Sequence, residues 1–181
     1  ARGEYARAGE LISRARVYVD DSSGFLMSVL KRYNDPDLLA AWNNAAGETI
    51  RTSRDRGTSA IVVRMLEQIL TLYQKGRPIH SYTVSVGRDG LFDKRHAGDY
   101  ATPEGRYRVT RKNLASRFNK ALLIDYPNAE DTRAFARNRK NGLVPPGVDI
   151  GGIIEIHGGG DDVLTDGCVS MTDRDIEELF R

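Results

Sequence analysis

The spacing of hydrophobic residues changes once along the chain. Up to about residue 57, apolar side chains recur every three or four positions, which is the spacing of one helix face. Beyond residue 58, apolar residues stand in short runs separated by glycine, proline and charged residues, a pattern typical of strands. The pattern therefore predicts an N-terminal helical region over residues 1–57 and a separate domain over residues 58–181.

The N-terminal region is predicted to contain three helices. The first carries an apolar stripe, interpreted as a packing surface, made of Tyr5, Ala8, Leu11, Ile12 and Ala15. The polar run at residues 21–23 offers N-caps for a second helix, and Asp35-Pro36 is typical of the N-cap and first residue of a third. Gly47 is expected to end that third helix.

The second domain is predicted to be mainly β. Its candidate strands lie at residues 60–63, 69–73, 82–86, 106–109, 121–124 and 153–156. A polar, arginine-rich helix is predicted over residues 128–141, and Thr172 with Asp175 three residues later predicts a capped last helix. Many short strands with few helices indicate a β-sandwich or barrel with short helices.

Composition narrows the classes of function. The 181 residues can form a hydrophobic core without disulfide or metal support. A net charge of +2, from acidic and basic residues that interleave along the chain, gives no indication of nucleic-acid binding. No apolar run approaches the ~20 residues that span a bilayer. Because the chain begins at Ala1 rather than methionine, we expect a processed product whose signal peptide has been removed.

The most informative segment lies near the C-terminus. His157 is followed by a run of glycines, and Cys168, the one cysteine of the sequence, comes eleven residues later. A thiol is mostly protonated at neutral pH, and a neighbouring imidazolium lowers its pKa and makes the thiolate available as a nucleophile. The Gly158 carbonyl is the nearest acceptor for orienting the imidazole, and the amides of Gly167 and Cys168 are placed to face an oxyanion.

Other interpretations of the same residues remain open at this level. A single cysteine among apolar neighbours is also typical of a buried small hydrophobe, and a histidine at a strand end is also typical of a core residue. A metal site is a further alternative, without a repeated ligand spacing, built from His157, Asp161, Asp162, Asp166 and Cys168. A papain-like protease fits poorly, because its cysteine precedes its histidine by more than about 100 residues.

Together the motifs resemble one enzyme family. The segments 157–158 (His-Gly) and 165–168 (Thr-Asp-Gly-Cys) match the order of the catalytic motif in YkuD-type L,D-transpeptidase catalytic domains. Upstream, residues 101–109 resemble the threonine-proline-x-glycine segment of that family, and residues 60–73 resemble its opening hairpin. The chain is therefore similar to this family over about residues 58–181.

One branch of the family is most similar. Residues 123–128 and 171–173 resemble the murein transpeptidase-like branch, which includes enzymes acting on the link between an outer-membrane lipoprotein and peptidoglycan. The resemblance implies the family's fold, a mainly β catalytic domain built as a sandwich or barrel with short helices. In this chain the small helical region would precede it.

The resemblance also implies the roles of four site residues. Cys168 would be the acyl-accepting nucleophile and His157 its base, with the Gly158 backbone carbonyl orienting the imidazole. The amides of Gly167 and Cys168 would form the oxyanion hole. Neither a metal nor an organic cofactor is implied.

Four further residues are expected to contact substrate. Thr165 belongs to the catalytic motif, Asp166 stands where many members have histidine, and Ser170 stands where many have arginine or asparagine. A carboxylate at position 166 would raise the thiol pKa if it pointed inward, and would bind a cationic substrate group if it faced the substrate instead. Tyr126 opens the segment 126–146, which is expected to act as a lid.

The resemblance implies acyl transfer on peptidoglycan stem peptides. Attack on a tetrapeptide stem would release D-alanine and leave a thioester on Cys168. A diamino-acid amine, a lipoprotein lysine or water would then resolve the thioester. A 3→3 transpeptidase, a protein-anchoring enzyme and a hydrolase (an L,D-carboxypeptidase or a lipoprotein-releasing amidase) therefore remain open, as does a non-catalytic wall-binding module.

The substrate class implies a location and an inhibitor class. Peptidoglycan lies in the periplasm or at the outer cell surface of bacteria, so the resemblance places the protein in cell wall biogenesis and cell shape. Carbapenems are expected to acylate Cys168. The residues indicate no oligomeric state.

Overall fold

The structure, a computed structural model, describes residues 2–162 and 164–181 and forms two compact units, residues 1–43 and 44–181. The predicted boundary at residues 57 and 58 stays a prediction. The side chains of Tyr5 and Ala8 lie outside the described ones. Among the described residues, no helix is long and apolar enough to span a bilayer.

The helical region contains two helices, α1 (Arg2–Tyr33) and α2 (Pro36–Arg56). The predicted N-cap is confirmed, because the Asp35 carboxylate accepts hydrogen bonds from the amides of Asp37 at 2.9 Å and Leu38 at 3.1 Å. Two predictions about this region were wrong. The chain continues as helix through residues 21–23, and α2 passes through Gly47 and ends at Arg56.

Both errors have a local physical reason. Serine and aspartate are capping residues, but they are also tolerated on the exposed face of a helix that continues. Glycine within a helix costs only about 1 kcal/mol relative to alanine, which the rest of α2 can offset. The predicted packing stripe of α1 is also not buried, since Leu11 is 55% and Ile12 is 56% exposed.

The first sheet is antiparallel, in the order β1 (Ser59–Arg64), β2 (Ile69–Gln74) and β3 (Arg77–Thr83). The first two strands match their predictions. The third was predicted over residues 82–86 and is displaced toward the N-terminus, because β3 is an edge strand whose side chains are mostly exposed. The segment after β3 pairs with the other sheet instead, through a bridge between Ser85 and Ser170.

The second sheet has the order β4 (Val109–Ser116), β5 (Asn119–Ile124), β6 (Glu155–His157) and β7 (Val169–Ser170). Its first two pairings are antiparallel, whereas β6 and β7 are parallel. The strand predicted over residues 106–109 was wrong, because β4 begins where that prediction ends. β4 is an exposed edge strand with a polar sequence, so hydrophobic alternation does not reveal it.

Two helices complete the second unit, α3 (Ala129–Lys140) and α4 (Asp173–Leu179). Asn128 caps α3, accepting from the Glu130 and Asp131 amides while Asp131 accepts from the Asn128 amide. The predicted cap of α4 is confirmed, since the Asp175 amide donates to Thr172 Oγ1 at 3.1 Å. The expectation of a sheet-rich domain preceded by helices is confirmed.

The core of the second unit combines residues from both sheets and α4. Its buried hydrophobic side chains are Leu70, Tyr82, Val84, Val86, Leu122, Ile156, Val169, Met171, Ile176, Leu179 and Phe180. Burial of these side chains holds β6, β7 and the start of α4 as one packed body. The segment that carries His157 and Cys168 is therefore built on the rigid part of the domain.

Candidate active site

The parallel pairing of β6 with β7 brings His157 and Cys168 together. Ile156 pairs with Val169 and His157 with Ser170, so Cys168, one residue before β7, lies opposite Glu155. Strand spacing and rise place the Cα atoms of residues 157 and 168 about 8 Å apart. Because side chains alternate along a strand, Glu155 and His157 point to the same face of β6. The two predicted chemical groups are therefore neighbours across the strand pair.

The His157 ring has a defined tautomer. Its Nδ1 lies 2.6 Å from the Gly158 carbonyl oxygen, and a carbonyl only accepts hydrogen bonds, so Nδ1 carries the proton. In the neutral form of the ring, Nε2 then keeps its lone pair. The side chain is only 5% exposed, which keeps water from competing for the Nδ1 contact. The ring can therefore act as a base through Nε2.

An aromatic side chain that the sequence analysis missed holds the ring plane. Phe118, in the turn between β4 and β5, stacks on His157 with centroids 4.2 Å apart and planes at 19°. The guanidinium of Arg117 lies over the Phe118 ring at 4.6 Å. In the sequence, Phe118 is an aromatic residue within a basic turn. That pattern does not indicate a contact with His157, which lies much later in the chain.

Gly158 is required by close packing. A Cβ at this position would lie 2.6 Å from both the Phe118 carbonyl oxygen and Asp173 Oδ1, and 2.9 Å from Ile176 Cγ2. The Gly158 amide donates to the Lys120 carbonyl at 3.2 Å. The acceptor of the His157 proton is thus fixed from several sides.

The Cys168 thiol is half-buried beside the strand that carries His157. The Glu155 amide donates to its Sγ at 3.4 Å. Burial raises the pKa of the Cys168 thiol, and the charges of Glu155 and Asp166 raise it further, against the lowering effects of the Glu155 amide and Lys94. A neighbouring imidazolium was expected to lower this pKa, and an inward-pointing Asp166 to raise it. The net direction is upward, because partial burial of the sulfur disfavours the charged thiolate.

Backbone strain lies next to the thiol. Ile153, whose carbonyl oxygen is 3.8 Å from Cys168 Sγ, has a φ of 57°. A β-branched residue in this region is an outlier, because its Cβ crowds the backbone. Strained residues of this kind cluster at functional sites.

The loop before Cys168 is held by Thr165. Its hydroxyl donates to the Cys168 carbonyl at 2.6 Å and accepts from the Gly167 amide at 3.1 Å. Gly167 has a φ of +131°, and a Cβ there would lie 2.7 Å from the Ala101 carbonyl oxygen. Thr165 and Gly167 therefore shape the loop, and the Gly167 amide is engaged with Thr165.

A family model for the YkuD L,D-transpeptidase catalytic domain matches residues 58–181. The chain belongs to this family. The resemblance drawn from the motifs is thereby confirmed, and the match includes both strands that carry the site. The domain that contains His157 and Cys168 is a YkuD domain.

Curated relatives point to the same family. The chain is 34% identical over 134 residues to "Putative L,D-transpeptidase YafK" of Escherichia coli K12, an alignment that covers 73% of this chain and 45% of the relative. The protein of the same name from Escherichia coli O157:H7 matches equally. The chain thus spans less than half the length of these curated relatives.

A solved structure is also similar. It is described as the structure of Bdellovibrio bacteriovorus Bd1075 and is 21% identical, with a TM-score of 0.46. The alignment covers 67% of this chain and 42% of that one.

Asp166 of this YkuD domain points outward. Its carboxylate pairs with the Arg88 guanidinium, which itself lies 3.9 Å over the Tyr100 ring. The side chain is 78% exposed, so the pair is solvated and weak. The predicted contact of Asp166 with a cationic substrate group stays a prediction, and Arg88 already occupies the carboxylate.

Ser170 and Tyr126 of the YkuD domain are buried. Ser170 is 1% exposed, and its backbone exchanges two hydrogen bonds of 2.9 Å with Ser85. The Tyr126 hydroxyl donates to the Ile150 carbonyl at 3.1 Å, and burial raises the pKa of this phenol. Both residues hold parts of the fold together, and their predicted contacts with substrate stay predictions.

A buried ion pair in the loop between the sheets was also missed. Lys94 Nζ lies 2.7 Å from Asp99 Oδ1, with side chains only 4% and 12% exposed. The Asp99 carboxylate also accepts from the amides of Arg95 and His96. Burial acts to raise the pKa of Asp99, but the Lys94 and backbone hydrogen bonds outweigh it and lower that pKa overall.

The predicted metal alternative has no support from side-chain positions. Within residues 2–162 and 164–181, no three His, Cys, Asp or Glu side chains come together as a metal site. The strand pairing instead brings the Cys168 thiol and the His157 imidazole onto adjacent strands.

Proposed function

We propose that this chain is a cysteine-dependent L,D-transpeptidase that acts on peptidoglycan stem peptides. One observation carries the proposal: in a YkuD domain, the Cys168 thiol lies across a strand pair from His157, whose Nδ1 is held by the Gly158 carbonyl. This arrangement leaves Nε2 free to take the thiol proton. The catalytic roles of these residues are part of the proposal.

The first half-reaction uses the raised thiol pKa. Because burial raises the pKa of the Cys168 thiol, we infer that proton transfer to His157 Nε2 accompanies attack on the substrate. Sulfur bonds to the carbonyl carbon of the third stem residue, and the oxygen becomes an oxyanion. The Cys168 amide stabilises the oxyanion, joined by the Gly167 amide once it leaves Thr165.

Collapse of the tetrahedral intermediate completes the transfer. The bond to D-alanine breaks, and the imidazolium of His157 returns the proton to the leaving amine. A thioester on Cys168 remains. An amine from a second stem, or a lipoprotein lysine, then attacks the thioester and regenerates the thiol. An amine of a second stem gives a 3→3 cross-link.

Hydrolysis is the second candidate function, and the position of Glu155 favours it. This residue lies opposite Cys168 on β6, and its charge acts on the thiol. A carboxylate beside the thioester is placed to accept a proton from attacking water. The products would then be those of an L,D-carboxypeptidase, or of an amidase that releases a lipoprotein from peptidoglycan.

The proposed substrate implies where the enzyme acts and which inhibitor class should modify it. Peptidoglycan stem peptides place the enzyme in the bacterial cell envelope, in the periplasm or at the outer cell surface. A carbapenem, an acylating agent for thiols of this kind, is expected to form an adduct on Cys168. Mass spectrometry of the intact protein after carbapenem treatment detects that adduct.

The deciding experiment is mass spectrometry of the protein incubated with a disaccharide-tetrapeptide. Loss of D-alanine that requires Cys168, and is absent in Cys168→Ala, supports the acyl-enzyme. A cross-linked dimer then indicates a transpeptidase, and a tripeptide indicates a carboxypeptidase whose water step should slow in Glu155→Gln. Equal product from the wild type and Cys168→Ala would overturn the proposal, and so would no reaction with either this probe or a lipoprotein-linked stem peptide.

A further inference from the structure

A carboxylate lies directly behind the peptide group that holds the catalytic base. The Gly158 carbonyl accepts the proton of His157 Nδ1 at 2.6 Å. On the other side of the same peptide group, the Gly159 amide donates to Asp173 Oδ1 at 2.8 Å. Asp173, the peptide and the imidazole thus form one continuous chain of hydrogen bonds.

We propose that Asp173 is a positioning residue that acts on His157 through the Gly158–Gly159 peptide. Its negative charge draws the Gly159 amide proton toward itself and pushes electron density onto the Gly158 oxygen. The oxygen becomes a better acceptor for the Nδ1 proton, since hydrogen bonds in series polarise one another. The arrangement works as an acid–histidine–thiol triad with a peptide group inserted between acid and imidazole.

Packing around Gly158 holds this chain of hydrogen bonds, here called the relay, in place. The missing side chain at Gly158 lets Asp173 Oδ1 and the Phe118 carbonyl oxygen approach so closely that a Cβ would sit 2.6 Å from each. Thr172 caps α4 and fixes the backbone from which Asp173 projects. The ring cannot turn away easily, because Phe118 stacks on its face.

The other charged groups around the ring come from different elements. Arg117 is separated from the imidazole by Phe118, and the Lys120 ammonium is directed over the Phe180 ring at 5.7 Å. Glu155 shares the face of β6 with His157. Unlike these three groups, the Asp173 carboxylate accepts a hydrogen bond from the peptide that binds Nδ1.

The consequence for catalysis rests on the proposed function, but the relay itself is testable without substrate. Asp173→Asn keeps an oxygen that can accept from Gly159 and removes only the charge. Asp175→Asn removes the same charge from the same turn of α4, where Asp175 bonds Thr172 through its backbone amide. Both variants therefore lose one negative charge, but Asp173→Asn alters the side chain that accepts the Gly159 hydrogen bond and Asp175→Asn does not.

Two measurements on the free protein decide the question. Proton NMR reports the His157 Nδ1 proton, identified among three histidines by its absence in His157→Gln. The rate of iodoacetamide alkylation at neutral pH reports how well His157 takes the proton of Cys168. We expect Asp173→Asn to move the Nδ1 proton resonance upfield and to slow alkylation about fivefold, the effect of one charge-assisted hydrogen bond. Asp175→Asn should change neither.

An unchanged Nδ1 resonance in a folded Asp173→Asn variant would overturn the inference. Equal shifts in the two variants would also overturn it, because they would show a general effect of charge. If the relay is present but wild-type protein leaves stem peptides intact, the inference about Asp173 stands and the proposed substrate is wrong.

Discussion

Gly158→Ala tests whether the active site depends on close backbone packing. The added Cβ would lie 2.6 Å from two oxygen atoms, Asp173 Oδ1 and the Phe118 carbonyl oxygen. The Asp173 side chain can rotate, but the Phe118 oxygen belongs to the turn between β4 and β5 and cannot. The peptide that follows residue 158 must therefore move, and with it the carbonyl that binds His157 Nδ1.

The magnitude follows from these contacts. Overpacking a fixed site costs about 1–3 kcal/mol, and one immovable oxygen with two movable neighbours suggests about 2 kcal/mol. For a chain of 181 residues this lowers Tm by about 4–8 °C. Displacement of a positioning group by about 1 Å costs about 100-fold in rate, so most of the activity should be lost while the protein stays folded.

Gly152→Ala is the matched control. A Cβ at that position meets no atom within 4 Å, although the residue lies in the segment that leads into β6. Differential scanning calorimetry gives Tm, and release of D-alanine from tetrapeptide, the proposed reaction, gives the rate. Gly152→Ala should match the wild type in both assays. A Gly158→Ala variant with wild-type Tm and wild-type rate would refute the packing argument.

Two further predictions concern charge. Asp99→Asn should lower the free energy of unfolding by about 3 kcal/mol, measured by urea denaturation, because it leaves Lys94 buried without its partner. Because its pKa is lowered in the folded protein, the ionised Asp99 carboxylate stabilises the fold at pH values above the ordinary aspartate pKa, and acidification removes this contribution. The free energy of unfolding of Asp99→Asn should therefore fall less on acidification than that of the wild type. Alkylation of Cys168 by iodoacetamide should rise with pH about a midpoint above the ordinary thiol value, and Asp166→Asn should lower that midpoint. A midpoint below the ordinary value, or an Asp99→Asn variant as stable as the wild type, would contradict the burial of these groups.

Hydrophobic alternation located the buried strands and failed at the exposed ones. The strands β1, β2 and β5 were placed within two residues of their bounds, because each has partly or fully buried positions that show in the sequence. The strands β3 and β4, whose side chains are mostly exposed, were displaced. Such a strand pairs through its backbone while its side chains face water, so its sequence carries little pattern, whereas the edge strand β1 has partly buried positions.

Cap residues were reliable only where the chain had to turn. Asp35 begins α2 and Thr172 begins α4 as predicted, since each supplies an oxygen to free amides. The polar run at 21–23 contains the same residue types within the continuous helix α1. A cap sequence shows that a helix can begin there, and the surrounding chain decides whether it does.

The sequence by itself determined which reactive groups the site contains, one thiol and one histidine beside glycines. The order of the motifs also identified the YkuD family. Only the tertiary structure decided the environment of those groups. It raised the thiol pKa by burial, directed Asp166 to Arg88, and placed Phe118 and Asp173 against the histidine and its glycines. The reason is physical. Residue type fixes which bonds can form, whereas burial and contacts between residues distant in sequence exist only once the sheets have paired.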